Sequence, residues 1–147
     1  MDIDQEIKSY VDAVALDANK ASRTISVASS EQKSMCLKSI AEDIHKRRGF
    51  IREANARDLG AARKGELESA LLERLSLDDA AIDKIIEGLN QIDLLADPIG
   101  EISELNYQNS GIQVGKMRVP LGVIAMIYES RPNVTIDAAS LAIKTGN

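Results

Sequence analysis

The run Leu121-Gly122-Val123-Ile124-Ala125-Met126-Ile127-Tyr128 constrains the fold of this chain more than any other segment. A strand that alternates apolar and polar residues buries one face. A nearly unbroken apolar run buries both, as in a parallel sheet covered by helices on each side. The polar, proline-broken loop Glu129-Ser130-Arg131-Pro132-Asn133 follows. Residues 135–145 then read as a helix, with Ile136, Ala139, Ser140 and Ile143 on one stripe and Gly146 as its C-terminal cap. Strand, loop and crossover helix are the first two-thirds of a βαβ unit. One apolar strand cannot bury both faces or satisfy its backbone alone. The pattern therefore predicts that this sequence is part of something larger.

Upstream of this unit the periodicity is helical. Ile3, Ile7, Tyr10, Val14, Ala18, Ala21, Ile25 and Ala28 recur at steps of three and four, predicting an amphipathic helix over 3–28. Ser29 with Gln32 has the spacing of a capping box. A helix over 31–62 follows, with Leu37, Ile40, Ile44, Ile51 and Ala54 on one face and Gly49 and Gly60 as points of weakness. Arg63-Lys64-Gly65 closes it, Gly65 being free to take a left-handed cap. A short helix over 66–74 comes next. Another begins near Ser76-Leu77-Asp78-Asp79, turns Ile82, Ile85, Ile86, Leu89, Ile92 and Leu95 inward, and stops at Asp97-Pro98. Residues 101–108 and 111–119 read as two strands joined at Asn109-Ser110-Gly111, with a bulge expected at Gly115.

Composition sets the outer limits. At 147 residues with 44% apolar and 28% charged residues, the chain is globular and about one domain in size. A net charge of −5 disfavours nucleic acid, whose phosphates require concentrated Lys and Arg. The basic cluster His45-Lys46-Arg47-Arg48, with Arg52, shares its helix with acids and reads as a solvated face. A single cysteine excludes an internal disulfide framework. The acidic start lacks the plan of a signal peptide, and no apolar run reaches the roughly 20 residues of a membrane span. A cytoplasmic protein without membrane contact is expected.

Chemistry concentrates at 128–135. Ligands of open α/β sheets bind beyond the carboxyl ends of strands, where helix N-termini favour anions. Arg131 adds a permanent forked cation, Pro132 stiffens the corner, and Asn133 can cap the helix or donate to a ligand. The bland alternative pairs Arg131 with Glu129 and leaves Asn133 as a cap. No dinucleotide fingerprint or phosphate-loop motif is present. Cys36, inside a helix between Met35 and Leu37, reads as a small buried hydrophobe rather than a nucleophile. His45 has no partner for a metal, and no metal site is expected. The neighbouring acids Glu42-Asp43 and Asp78-Asp79 point in different directions on a helix and suit solvated or N-terminal positions.

The stretch Lys116-Met117-Arg118-Val119-Pro120-Leu121-Gly122-Val123-Ile124-Ala125-Met126-Ile127-Tyr128-Glu129-Ser130-Arg131-Pro132-Asn133-Val134-Thr135 closely resembles a characteristic segment of the γ-glutamyl phosphate reductases, within the aldehyde dehydrogenase superfamily. Asp137-Ala138-Ala139 and Lys144-Thr145-Gly146-Asn147 continue the likeness, as do Asn55-Ala56-Arg57-Asp58 and Leu71-Leu72-Glu73-Arg74-Leu75 upstream. The resemblance spans the chain but only the N-terminal third of a family member. It implies NADPH-dependent reduction of γ-glutamyl phosphate to glutamate 5-semialdehyde and phosphate, in proline biosynthesis. A cysteine thiolate expels phosphate and hydride reduces the resulting thioester. That cysteine lies in a later domain, so Cys36 does not inherit the role and no catalytic residue is expected in this chain. The resemblance assigns Arg131 and Asn133 to substrate and Tyr128, Glu129 and Ser130 to the cofactor.

The fold class implied is α/β and aldehyde-dehydrogenase-like. Residues 1–100 would form a helical N-terminal part of the cofactor domain. Residues 101–119 would be a hairpin of an oligomerisation arm, and 120–147 the first, incomplete strand-loop-helix of a doubly wound nucleotide-binding sheet. The full-length protein is expected to be a homo-oligomer, and the fragment alone inactive. The rival reading is a non-catalytic helical module whose apolar faces dock a partner.

Overall fold

A computed structural model describes residues 3–147. Met1 and Asp2, which the sequence reading places at the head of the helical part, lie outside the described residues. Among the described residues, six helices and one two-stranded sheet divide between two compact units.

The larger unit comprises Ser30–Leu95 and Met126–Lys144. It holds α2 (Ser30–Lys46), α3 (Arg48–Lys64), α4 (Ser69–Leu75), α5 (Asp79–Leu94) and α6 (Asn133–Lys144). Its core is a seam of α2 and α5 in which Leu37, Ala41, Ile85 and Leu89 are buried. Ile136 and Ile143 of α6 pack on that seam. These are the inward stripes that the three-and-four spacing predicts. Leu95 departs from the stripe: it is more than half exposed, one residue past the helix end.

The long helix expected over 31–62 is two helices. The break falls at Arg47, with φ −100° and ψ 14°, two residues before Gly49. The second helix then ends two residues later than expected, at Lys64. Gly65 stays at φ −84°, and Glu66 takes the left-handed conformation at φ 55°. The amide of Leu67 donates to the Ala62 carbonyl at 3.1 Å and that of Glu66 to the Arg63 carbonyl at 3.2 Å. This is the paired closure of a Schellman motif, displaced by one residue from the available glycine.

Polar groups tie the helices together. Buried Asn55 donates to the Leu75 carbonyl at 2.7 Å and accepts from the Leu77 amide at 2.8 Å, so one side chain satisfies both edges of the α4–α5 turn. Asp78 caps α5 by accepting from the Ala81 amide at 2.7 Å. Asp79 meets Arg52 at 2.7 Å, and Arg48 meets Asp83 at 2.6 Å. The basic cluster is thus partly an interhelical ion-pair lattice rather than a purely solvated face. Such exposed pairs contribute under about 1 kcal/mol each. Cys36 also departs from expectation, for it is exposed on α2.

At the far end of α6, buried Lys144 donates to the Asp93 carbonyl at 2.8 Å, near the negative end of α5. The Asp93 side chain receives Lys38 at 3.4 Å. Hydrogen bonding from Ser34 holds the Asp93 carboxyl below its ordinary value against desolvation, with help from Lys38 and Lys144.

The smaller unit comprises Met1–Ser29, Ala96–Ala125 and Thr145–Asn147. It contains α1 (Ile3–Ile25), β1 (Ile102–Tyr107) and β2 (Gln113–Met117). The strands pair antiparallel, Ile102 with Met117 and Tyr107 with Gln113. Gly111, at φ 84°, makes the turn. The bulge sits where sequence puts it but on the other strand: register slips between Ser103 and Asn106, with Glu104 at φ 52°. Gly115 faces the slip because a Cβ there would come within 2.9 Å of Leu105 Cδ1 and 3.2 Å of the Ser103 carbonyl. Both strands are exposed throughout, and α1 buries no residue: the stripe of Ile3, Ile7, Tyr10 and Val14 is at least half exposed.

Residues 121–128 correct the most constraining expectation. They form no strand, and Leu121 and Ile127 are almost wholly exposed. The only sheet among the described residues is the β1–β2 pair, so this segment has no ladder to join. In the smaller unit, Asn147 Oδ1 accepts from the Gly122 amide at 2.9 Å, tying the start of the run to the last residue. Gly146 takes φ 72°, as the cap reading requires.

Two stability predictions follow from these joints. Glu66→Gly should raise stability by about 0.5–1 kcal/mol in urea denaturation, because glycine adopts the left-handed region without a Cβ clash. Asp93 has a depressed folded-state pKa, so its contribution is present above the unfolded value of about 3.9 and lost as pH falls through the lower folded one. Asp93→Asn should therefore lower the urea midpoint at pH 7, with the gap to the parent closing below about pH 4.

Candidate functional site

The predicted corner lies at 128–135, within the larger unit. It opens with Tyr128, whose hydroxyl is hydrogen-bonded to that of Thr135, the third residue of α6. That bond closes the loop on its own helix. Ser130 turns the chain at φ 53°, a left-handed conformation that costs a residue with a Cβ about 1–2 kcal/mol. The Val134 amide donates to the Arg131 carbonyl at 3.1 Å, completing the turn into the helix.

Arg131 stands exposed at this turn, and among the described residues its guanidinium has no ion-pair partner. The bland pairing with Glu129 is not formed. Asn133 is the first residue of α6, and its amide donates to Asp137 Oδ2 at 3.0 Å, one turn on. The corner therefore offers a free forked cation beside the positive end of a 12-residue helix. Such an arrangement suits a phosphate or acyl phosphate. Tyr128 and Glu129 are exposed, and Ser130 is half-buried. All five residues singled out from sequence share this turn.

One part of the neighbourhood was not singled out. A cleft of about 200 Å³ opens beside the first turn of α6, lined among others by Arg74, Ser76, Lys84, Ile85, Asn133 and Asp137. Arg74 lies in the last turn of α4 and Lys84 on α5. Sequence gave two hints: Arg74 and Asp137 both fall in stretches quoted for the family likeness, but helical periodicity assigns them only to a surface. A larger cleft of about 370 Å³ between α2 and α5 is mainly apolar, and its Lys46 is paired with Glu42 at 3.1 Å. Among the described residues, no group of three or more His, Cys, Asp or Glu side chains is placed to hold a metal. No helix among them is long and apolar enough to cross a membrane.

No protein-family model matches the chain. Solved structures do. The chain superimposes on the crystal structure of γ-glutamyl phosphate reductase from Thermotoga maritima with a TM-score of 0.86 and 38% sequence identity, over 90% of its own length and 32% of that protein. The reductase of the same name from Saccharomyces cerevisiae gives a TM-score of 0.87 and 31% identity, over 92% of this chain and 34% of the other. The chain thus spans about a third of the length of the structures it matches. By sequence identity and by fold, this chain is similar to about one third of a γ-glutamyl phosphate reductase.

Proposed function

We propose that the whole protein carrying this segment reduces γ-glutamyl phosphate to glutamate 5-semialdehyde and phosphate, using NADPH, in proline biosynthesis. The observation that carries the reading is the match to two reductases of that name over nine-tenths of the chain at 31–38% identity. The rival reading, a non-catalytic helical docking module, has behind it only exposed apolar side chains such as Ile127 and Leu121, which suit either reading.

In this reading the segment binds and orients, while the nucleophile comes from outside it. Cys36 lies on α2, away from the 128–133 turn in sequence and outside its hydrogen bonds, and is not that nucleophile. Arg131 and the α6 N-terminus take the phosphoryl oxygens and stabilise negative charge as phosphate departs. Asn133, steadied by Asp137, presents its remaining amide hydrogen and carbonyl oxygen to the substrate. The exposed Tyr128 ring and the backbone of Glu129 and Ser130 offer a flat apolar face with adjacent polar groups, which fits the nicotinamide end of a dinucleotide. Bound there, NADPH supplies the hydride. The 101–119 hairpin, exposed along both strands, serves as the oligomerisation arm of a cytoplasmic homo-oligomer. The segment by itself is inactive.

The decisive substitution is Arg131→Ala in the full-length enzyme. Steady-state kinetics should show turnover of the acyl phosphate reduced about 100-fold, the usual loss when one preorganised charge donor is removed. Wild-type kinetics would take Arg131 out of the site.

A further inference from the structure

We propose that the cleft lined by Arg74, Lys84 and Asp137 is the subsite for the substrate's α-amino-acid head group. The proposal rests on the acyl-phosphate reading of the 128–133 turn and extends it to the other end of the same molecule.

Three observations support it. The first is charge. Arg74 and Lys84 are cations on different helices that open on one cleft, and among the described residues neither has an ion-pair partner. Elsewhere in this unit Arg48, Arg52, Lys38 and Lys46 have carboxylate partners within 4.0 Å, and Arg47, Arg63 and Lys64, unpaired among the described residues, do not line this cleft. Two unneutralised cations lining one cleft leave room for an anion supplied by a ligand. The second is the acid opposite them. Asp137 lines the same cleft, and its Oδ2 is occupied by Asn133 at 3.0 Å, which orients the carboxylate. A ligand with a carboxylate for the cations and an ammonium for Asp137 matches this set; a simple anion does not. The third is place and size. Asn133 both lines the cleft and belongs to the turn that carries Arg131, so the cleft adjoins the proposed acyl-phosphate end. A cleft of about 200 Å³ is below the usual range for a drug-sized or nucleotide ligand and takes an amino-acid head.

The head group would thus be gripped by α4, α5 and the first turn of α6, and the reactive end by the turn before α6. Binding energy taken at the unreactive end fixes the orientation of the other. Arg74, Lys84 and Asp137 are binding residues here, with no part in bond making.

The test uses the full-length reductase and two acyl phosphates, γ-glutamyl phosphate and glutaryl monophosphate, which lacks only the amino group. Lys84→Gln and Arg74→Gln should each raise KM for γ-glutamyl phosphate about tenfold, the effect of losing one charge-assisted contact. The KM for NADPH should hold, which a general loss of structure would not allow. Asp137→Asn should erase most of the preference for the amino-bearing substrate. Asp137→Glu, which keeps the charge, should retain more of that preference than Asn. Calorimetric titration of L-glutamate, which carries the same head, gives a readout without turnover and should weaken about tenfold in Lys84→Gln. Unchanged KM and glutamate affinity in both cation variants, or an intact amino preference in Asp137→Asn, would overturn the proposal. If Arg131→Ala still lowers turnover about 100-fold in that event, the acyl-phosphate reading survives and only the head-group subsite falls.

Discussion

The apolar seam between α2 and α5 is the joint on which the rest of the larger unit depends. Leu37 and Ala41 meet Ile85 and Leu89 there, and α6 lays Ile136 and Ile143 across them. Truncating one such buried leucine in a core usually costs about 2–5 kcal/mol, a large share of a domain's stability. The seam also has a directional consequence. Lys144 fastens the C-terminal end of α6 to the Asp93 carbonyl, so the N-terminal end of the helix is fixed by rigid geometry. The turn carrying Ser130, Arg131 and Asn133 is built on that end. Packing far from the site therefore determines where its charges point.

Local signals were legible wherever the cause was local. The apolar spacing of α5, its Asp78 cap and the Gly111 turn all act within a few residues, and the structure has them. The failures have a different origin. The break at Arg47 is one residue from the start of α3, whose Arg48 and Arg52 reach across to α5, a tertiary choice that helix propensity does not encode. The left-handed cap moved from Gly65 to Glu66 because a Schellman closure is set by which carbonyls the last turn leaves open. At the bulge, Gly115 was legible as a site of close approach, yet which strand carries the extra residue depends on pairing register.

The 121–128 run shows the sharper limit. Its composition states an environment, apolar on both sides, and says nothing about whether that environment is present. Without a neighbouring strand the backbone turns to solvent and the side chains with it. Sequence specifies the demand; it does not by itself supply the surface that meets it. The same holds for α1, an amphipathic helix by pattern whose apolar stripe is uncovered.

The candidate site was half legible for a related reason. Arg131, Pro132 and Asn133 are contiguous, so their chemistry can be read along the chain. Arg74, Lys84 and Asp137 are separated by ten and 53 residues and come together only because α4, α5 and α6 converge. On a helical wheel each is one more solvated charge. What distinguishes them is that they line one cleft with Asp137, and that becomes visible only when every neighbouring helix is in place. Two cations and an oriented carboxylate gathered around one small cleft are a feature of recognition rather than of stability, since solvated ion pairs add little to a fold.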